Sequence, residues 1–215
     1  MMLRAERHQS RVEELANSAS HGIGFVLALI LLPMLVRLSI ARGEAALHTV
    51  AVSVFAAATL LLYLSSALFH GLPSGRAKRF FDKLDRAAIY VFIAASYSPF
   101  AASAMNGSRG ALMLTLVWVM ALAGLVITFR NLVTNPLWST ALYVGMGWLV
   151  LVAAIPWIER APVFGVRLLV SGCLIYTLGA ACFLLGARVR FAHLAWHLCV
   201  MAGGGLHLAA MMLPR

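Results

Sequence analysis

Apolar residues run through this chain in blocks of about 20, separated by short clusters of glycine, proline and charge. Seven blocks predict seven spanning helices, at about 22–41, 46–70, 86–104, 110–129, 137–156, 165–186 and 192–213. Ala41-Arg42-Gly43-Glu44 closes the first, and Gly71-Leu72-Pro73-Ser74-Gly75 follows the second. Asn106-Gly107 closes the third and Arg130-Asn131 the fourth, while Asn135-Pro136 and Pro156 bound the fifth. A helix of about 20 residues is about 30 Å long, which matches the hydrocarbon core of a bilayer. No linker, low-complexity tract or internal repeat interrupts the series. The pattern therefore predicts an all-α integral membrane protein, with an N-terminal segment over 1–21 and one seven-helix transmembrane domain over 22–213.

Composition supplies the reason for a bilayer. The 215 residues are 62% hydrophobic and 11% charged, with a mean hydropathy of +0.91. Soluble domains run nearer 45–50% apolar and about 25% charged. A water-soluble chain of this length would still expose about a quarter to a third of its unfolded surface. Lipid removes that conflict.

Charge then orients the helices. The net charge of +10 comes from Lys and Arg placed between apolar blocks, with no long basic tract. That placement points to membrane topology and away from nucleic acid. With the N-terminus inside, inner segments hold eleven of the 17 Lys and Arg residues and outer segments six. Arg76, Lys78, Arg79, Lys83 and Arg86 carry most of the bias. The expected arrangement is N-terminus cytoplasmic and C-terminus outside. The first 22 residues mix both signs of charge and lack a cleavage site, so they do not read as a removable signal peptide. Cys173, Cys182 and Cys199 sit in apolar runs without paired spacing, as small core or lipid-facing residues do.

Ionisable groups at membrane depth are costly and usually functional. Ser66 and His70 stand at i and i+4 at the end of the second block, on one helical face. Asp85 opens the third block. His193 and His197 open the seventh, again at i and i+4. In the expected topology His70, Asp85, His193 and His197 all fall within about two turns of the cytoplasmic surface. Three imidazoles with an open fourth position describe a catalytic zinc site. Without a thiolate or carboxylate cluster, zinc is favoured over copper, iron or nickel. The pair lacks the glutamate of HExxH, since Leu194 stands there. Asp85 is the available proton acceptor, for a water whose pKa zinc would lower to about 7. Ser66 would orient a ligand or donate to a substrate carbonyl, unless its hydroxyl bonds back to the i−4 carbonyl.

Other polar residues have plainer expectations. His8 and His48 read as interfacial, and Asp82 and Lys83 as solvated loop charges. His207 lies ten residues past His197, about 15 Å deeper. It reads as a buried hydrogen-bonding group or a polar element of a cavity below the metal. Gly203-Gly204-Gly205 beside it permits close helix approach or a locally unwound turn. Asn17 or Ser18 is expected to cap the first helix, with Glu13 and Glu14 suited to its positive end. Alternatively Glu14, Asn17 and His21 fold toward the same site as partners of its ligands.

Taken in order, these motifs resemble the haemolysin III family, bacterial relatives of the progestin and adiponectin receptors. The resemblance rests on Glu14-x-x-Asn17, Ser66-x-x-x-His70, Lys83-Leu84-Asp85, His193-x-x-x-His197 and Tyr176-Thr177-Leu178-Gly179, and covers essentially the whole chain. It implies a seven-helix bundle with Zn2+ held near the cytoplasmic side by His70, His193 and His197. It further implies Asp85 engaging the metal through water, Ser66 alongside, and a bacterial cytoplasmic membrane location. The wider superfamily includes ceramidase-like lipid amide hydrolases. Three functions follow as expectations: a zinc-dependent hydrolase of a lipid amide or ester bond, a haemolysin or pore, and a lipid-sensing homeostasis protein without turnover. Membrane lipid is the expected partner in the first and third.

Overall fold

The first apolar block is part of a longer helix. In the computed structural model, which describes residues 9–103, 108–153, 158 and 162–213, helix α1 covers Arg11–Ala41. It opens on Ser10, whose hydroxyl accepts from the Glu13 amide while the Glu13 carboxylate accepts from the Ser10 N–H. This reciprocal capping box satisfies two otherwise orphaned donors. The expected cap at Asn17 or Ser18 is therefore corrected, because both lie inside the helix. Neither has a Glu or Gln three residues on, as Ser10 has, to return the bond. Ser18 Oγ instead donates to the carbonyl of Ala67 at 2.8 Å, and Asn17 Nδ2 to Gln9 Oε1 at 2.7 Å.

The other helices are α2 (Ala46–Gly71), α3 (Arg76–Ser103), α4 (Ser108–Phe129), α5 (Pro136–Ala153), α6 (Val163–Leu185) and α7 (Ala192–Met212). Among the described residues there are these seven helices and no strand. His8, Asn106, Gly107 and Pro156, named above, lie outside the described residues. Helix α3 begins ten residues before its apolar block, so Asp82 and Lys83 are helical rather than loop residues. Asp82 pairs with Arg86 one turn on, at 2.6 Å, and helical spacing is what brings that i, i+4 pair together.

Five helices, α1, α2, α4, α6 and α7, are each long and apolar enough to cross a membrane. Their outer faces carry the apolar load. Val26, Ile30, Leu122, Val126, Leu174 and Leu178 are each more than half exposed, an arrangement that lipid accommodates and water does not. The chain is thus an all-α membrane bundle.

Each helix packs on the next, α7 returns to α1, and α3 also touches α5 and α7. Helix α3 therefore runs through the middle. Its Ala87, Ala88, Ala94 and Ala95 are at most 1% exposed, and small side chains allow such close approach. Phe55, Phe92, Tyr97, Met146, Leu169 and Val200 fill the core around it. His48, expected at the interface, is 3% exposed. Its Nδ1 donates to the carbonyl of Pro99 at 3.1 Å, so α2 grips α3 there through a buried hydrogen bond rather than meeting water.

Helices α6 and α7 pack through glycines. A Cβ at Gly203 would lie 2.6 Å from the Tyr176 ring, and one at Gly172 would lie 2.5 Å from the His207 ring. Helix α7 stays helical through Gly203-Gly204-Gly205, so close approach is what these glycines provide. Gly203→Ala should lower stability by about 1–3 kcal/mol through overpacking. Gly205→Ala, with nothing within 4 Å of the new methyl, should be neutral or stabilising by up to ~1 kcal/mol. Thermal unfolding in detergent compares the two, and equal effects would refute this account of the interface.

Candidate metal centre

Antiparallel helices return the chain to one end of the bundle, and that end collects the polar groups. His70 sits in the last turn of α2, and His193 and His197 in the first two turns of α7. Their ring centroids form a near-equilateral triangle, at 5.0 Å (His70 to His193), 5.0 Å (His70 to His197) and 4.9 Å (His193 to His197). One nitrogen from each lies within 4.8 Å of the other two. His70 and His197 are 4% and 1% exposed. Helices α2 and α7 both pack on α1 and α3, and they meet through these rings.

The hydrogen bonds fix which nitrogen faces inward. His70 Nδ1 donates to Glu14 Oε2 at 2.9 Å, since a carboxylate only accepts. His70 Nε2 is thereby left as a lone pair, buried and without a partner. His197 Nδ1 donates to the carbonyl of Asn17 at 3.2 Å and to Ser20 Oγ at 3.0 Å. Ser20 gives its own proton to that same carbonyl, at 2.7 Å. His197 Nε2 is again the bare nitrogen. Outer partners that hold an imidazole tautomer and raise its basicity accompany most histidine metal ligands. The donor set suits a divalent cation, and a three-histidine cluster of this kind can hold one.

Helix α1 supplies all of these outer partners, which explains why it begins so early. Glu14 Oε2 also accepts from Lys78 Nζ at 3.2 Å, tying α3 to the same carboxylate. Asn17 contributes its backbone carbonyl, and its side chain plays no part in orienting His197. Glu13 does more than stabilise a helix end. Its Oε1 accepts from the amide of Phe191 at 3.0 Å, the residue before α7. Phe191 has φ 59°, a left-handed conformation that costs of order 1 kcal/mol or more outside glycine. Helix α1 thus holds the strained turn that aims His193 and His197. Ser20 and the Phe191 tether were not anticipated, although the Ser10-x-x-Glu13 spacing in the sequence already marks a helix start.

Asp85, Ser66, His21, His193 and His197 line one cavity of about 100 Å³. Its walls are apolar, with Leu62, Ile89, Phe92, Ile93 and Val144 among them, and Tyr97, Cys173 and Tyr176 also contribute. Asp85 approaches the Ser66 hydroxyl from α3. Ser66 Oγ is buried and makes no hydrogen bond of good geometry. The neighbouring Ser65, not Ser66, bonds back along the helix, to the Leu62 carbonyl. His21 stacks on His197 with centroids 3.8 Å apart and planes 6° apart. His207 lies away from the cluster and is 0% exposed. Its Nε2 donates to the carbonyl of Leu169 at 3.3 Å, so it is a buried hydrogen-bonding group between α6 and α7.

Fold and site together define a multipass helical membrane protein with a buried three-histidine cluster at one end of the bundle, open to an apolar cavity. The family model described as "Haemolysin-III related" matches residues 9–208, and the chain belongs to that family. It is 34% identical to "Hemolysin-3" of Bacillus cereus over 90% of this chain and 88% of that one. It is 35% identical to the "Hemolysin-3 homolog" of Bacillus subtilis (strain 168), over 89% of each. A more distant similarity, 27% over 93% of this chain and 83% of the other, links it to the human "Monocyte to macrophage differentiation factor".

The hydrogen bond from His70 to Glu14 gives a direct test. Glu14→Ala should weaken divalent-metal affinity by about 10–100-fold while leaving the bundle folded. Competition titration against a chelator measures this, and unchanged affinity would mean that Glu14 does not support the centre.

Proposed function

We propose that this protein is a zinc-dependent hydrolase of a lipid amide or ester bond in the bacterial cytoplasmic membrane, its N-terminus and metal centre on the cytoplasmic side. The observation that carries the reading is the meeting of three imidazoles, a carboxylate and an apolar cavity at one end of the bundle. His70, His193 and His197 would hold the ion. Bound zinc supplies Lewis-acid activation of a water and of a carbonyl.

The remaining chemistry belongs to the chain. The Asp85 carboxylate takes the proton from the attacking water and delivers it to the departing amine or alcohol. Ser66 Oγ, buried beside Asp85, donates to the scissile carbonyl. The apolar wall of α3 around Ile89, Phe92 and Ile93 takes the acyl chain and excludes water from the reacting bond.

His193→Ala should lose the metal that the wild-type protein retains through purification, as read by elemental analysis. Equal metal in both would remove the site. Asp85→Asn should keep its metal and lose lipid hydrolysis by about 10²–10⁴-fold, the usual contribution of a general base. Normal turnover by that variant would exclude Asp85 as proton acceptor. The name carried by the Bacillus cereus relative favours a second, lytic reading. A pore would conduct ions when reconstituted in planar bilayers even with His193→Ala, whereas the hydrolase reading expects no conductance from either protein.

A further inference from the structure

Arg86 is the one fixed positive charge in the cavity wall. The chain has 17 Lys and Arg residues, yet among the described residues that line the cavity no other occurs. Positive charge at an inner helix end serves orientation, but orientation does not require it to face a cavity. The spacing along α3 places it there. Asp85, Ile89, Phe92 and Ser96 recur every three or four residues, with Arg86, Ile93 and Tyr97 beside them, so all share the strip of α3 that borders the cavity. Asp85 and Arg86 stand at the histidine end of that strip. Ile89, Phe92 and Ile93, the next positions along it, are apolar.

The guanidinium stands where the cavity meets water. The Arg86 side chain is 44% exposed, while Tyr143 Oη donates to the Arg86 carbonyl at 3.1 Å and ties this turn of α3 to α5. Arg86 Nε donates to the Asp82 carbonyl at 3.4 Å, and Nη2 to Asp82 Oδ2 at 2.6 Å. Neither bond uses Nη1 or the second N–H of Nη2. An exposed i, i+4 ion pair contributes little, so an incoming anion can share the guanidinium with Asp82 or take its place. The planar fork suits carboxylate and phosphate oxygens.

The surrounding charges favour an anion. Asp85 lies within electrostatic reach of Arg86, and Asp82 is its ion-pair partner. Glu14 and Lys78 offset one another, and Lys83 reaches the Phe129 carbonyl. With a divalent ion in the three-histidine cluster, that ion and Arg86 together outweigh Asp82 and Asp85. We propose that Arg86 is a head-group recognition residue, selecting amphiphiles with an anionic head, a carboxylate or a phosphate, whose chain lies along the apolar strip of α3. This rests on the lipid-hydrolase reading above and adds to it the charge of the head group and the residue that reads it.

The probes are N-dodecanoylglycine and N-dodecanoylglycinamide, which share a chain and an amide bond and differ in the charge of the head. Binding to the zinc-loaded full-length protein in neutral detergent, read before any turnover, is followed by fluorescence of Trp148 and Trp196, both in the cavity wall. The wild-type protein should bind the acid ~tenfold more tightly than the amide. Arg86→Gln should keep wild-type zinc content and lose that preference, and Arg86→Lys should retain part of it. Asp82→Asn, which frees the guanidinium and removes a competing carboxylate, should raise it. A preference undiminished in Arg86→Gln would assign the acid to the ion alone and overturn the proposal. Equal binding of the two probes by the wild-type protein would also overturn it, and either result leaves the lipid-cavity reading intact. Should Arg86→Gln not fold, a preference that Asp82→Asn fails to raise overturns the proposal by itself. Inorganic phosphate binding as tightly as the acid would make the ligand a free anion and refute the amphiphile. Binding of neither probe would sink both readings.

Discussion

A polar nitrogen placed at membrane depth has no water to fall back on, so the protein itself must satisfy it. Of the three imidazoles at one end of this bundle, His70 and His197 meet that demand on one side only. Glu14 takes the outer proton of His70, and the Asn17 carbonyl with Ser20 Oγ takes that of His197. The inner nitrogens are left bare and face one another within 4.8 Å. Most of the remaining architecture can be understood as what keeps that half-satisfied cluster in place.

Helix α1 is the clearest case. A helix that only crossed the bilayer could begin near Gly22, yet α1 starts at Arg11 and carries three further turns into the site. Those turns deliver Glu14 to His70, Asn17 and Ser20 to His197, and Glu13 to the turn before α7. These contacts tie α1 to α2, to α7 and to the turn before α7, and all of them are hydrogen bonds. The extension is a clamp whose strength comes from desolvated polar contacts rather than from apolar area.

The apolar half of the protein answers a second constraint. Without a hydrophobic force between helices in lipid, close packing has to hold them. Alanines along α3 and glycines across the α6–α7 contact let backbones approach and seat the Tyr176 and His207 rings. Around α5 the bundle is joined by individual hydrogen bonds, from Tyr143 to the Arg86 carbonyl, from Tyr97 to the Gly147 carbonyl and from Trp148 to Thr177. The cavity lies against these residues, so the space that opens to the metal cluster borders the less tightly interdigitated side.

Much of this was legible along the chain because membrane depth imposes a local rule. About 20 apolar residues in a row cannot be placed elsewhere, so seven blocks meant seven helices, and histidines at i and i+4 had to share a face. Helix starts were less legible. Charged turns such as Arg11–Ser20 and Arg76–Asp85 interrupt the apolar run, and they are held by the Ser10–Glu13 capping box of α1 and by partners on other helices. His48 shows the same limit, since its partner is a backbone carbonyl 51 residues away that no local pattern announces. Tertiary structure alone decided that His21 lies flat against His197, that Ser20 shares the Asn17 carbonyl with His197, and that Glu13 reaches Phe191. Each depends on the rotation of one helix about its axis relative to another. That angle is set by the packing of the whole bundle, and residue spacing within a helix carries no information about it.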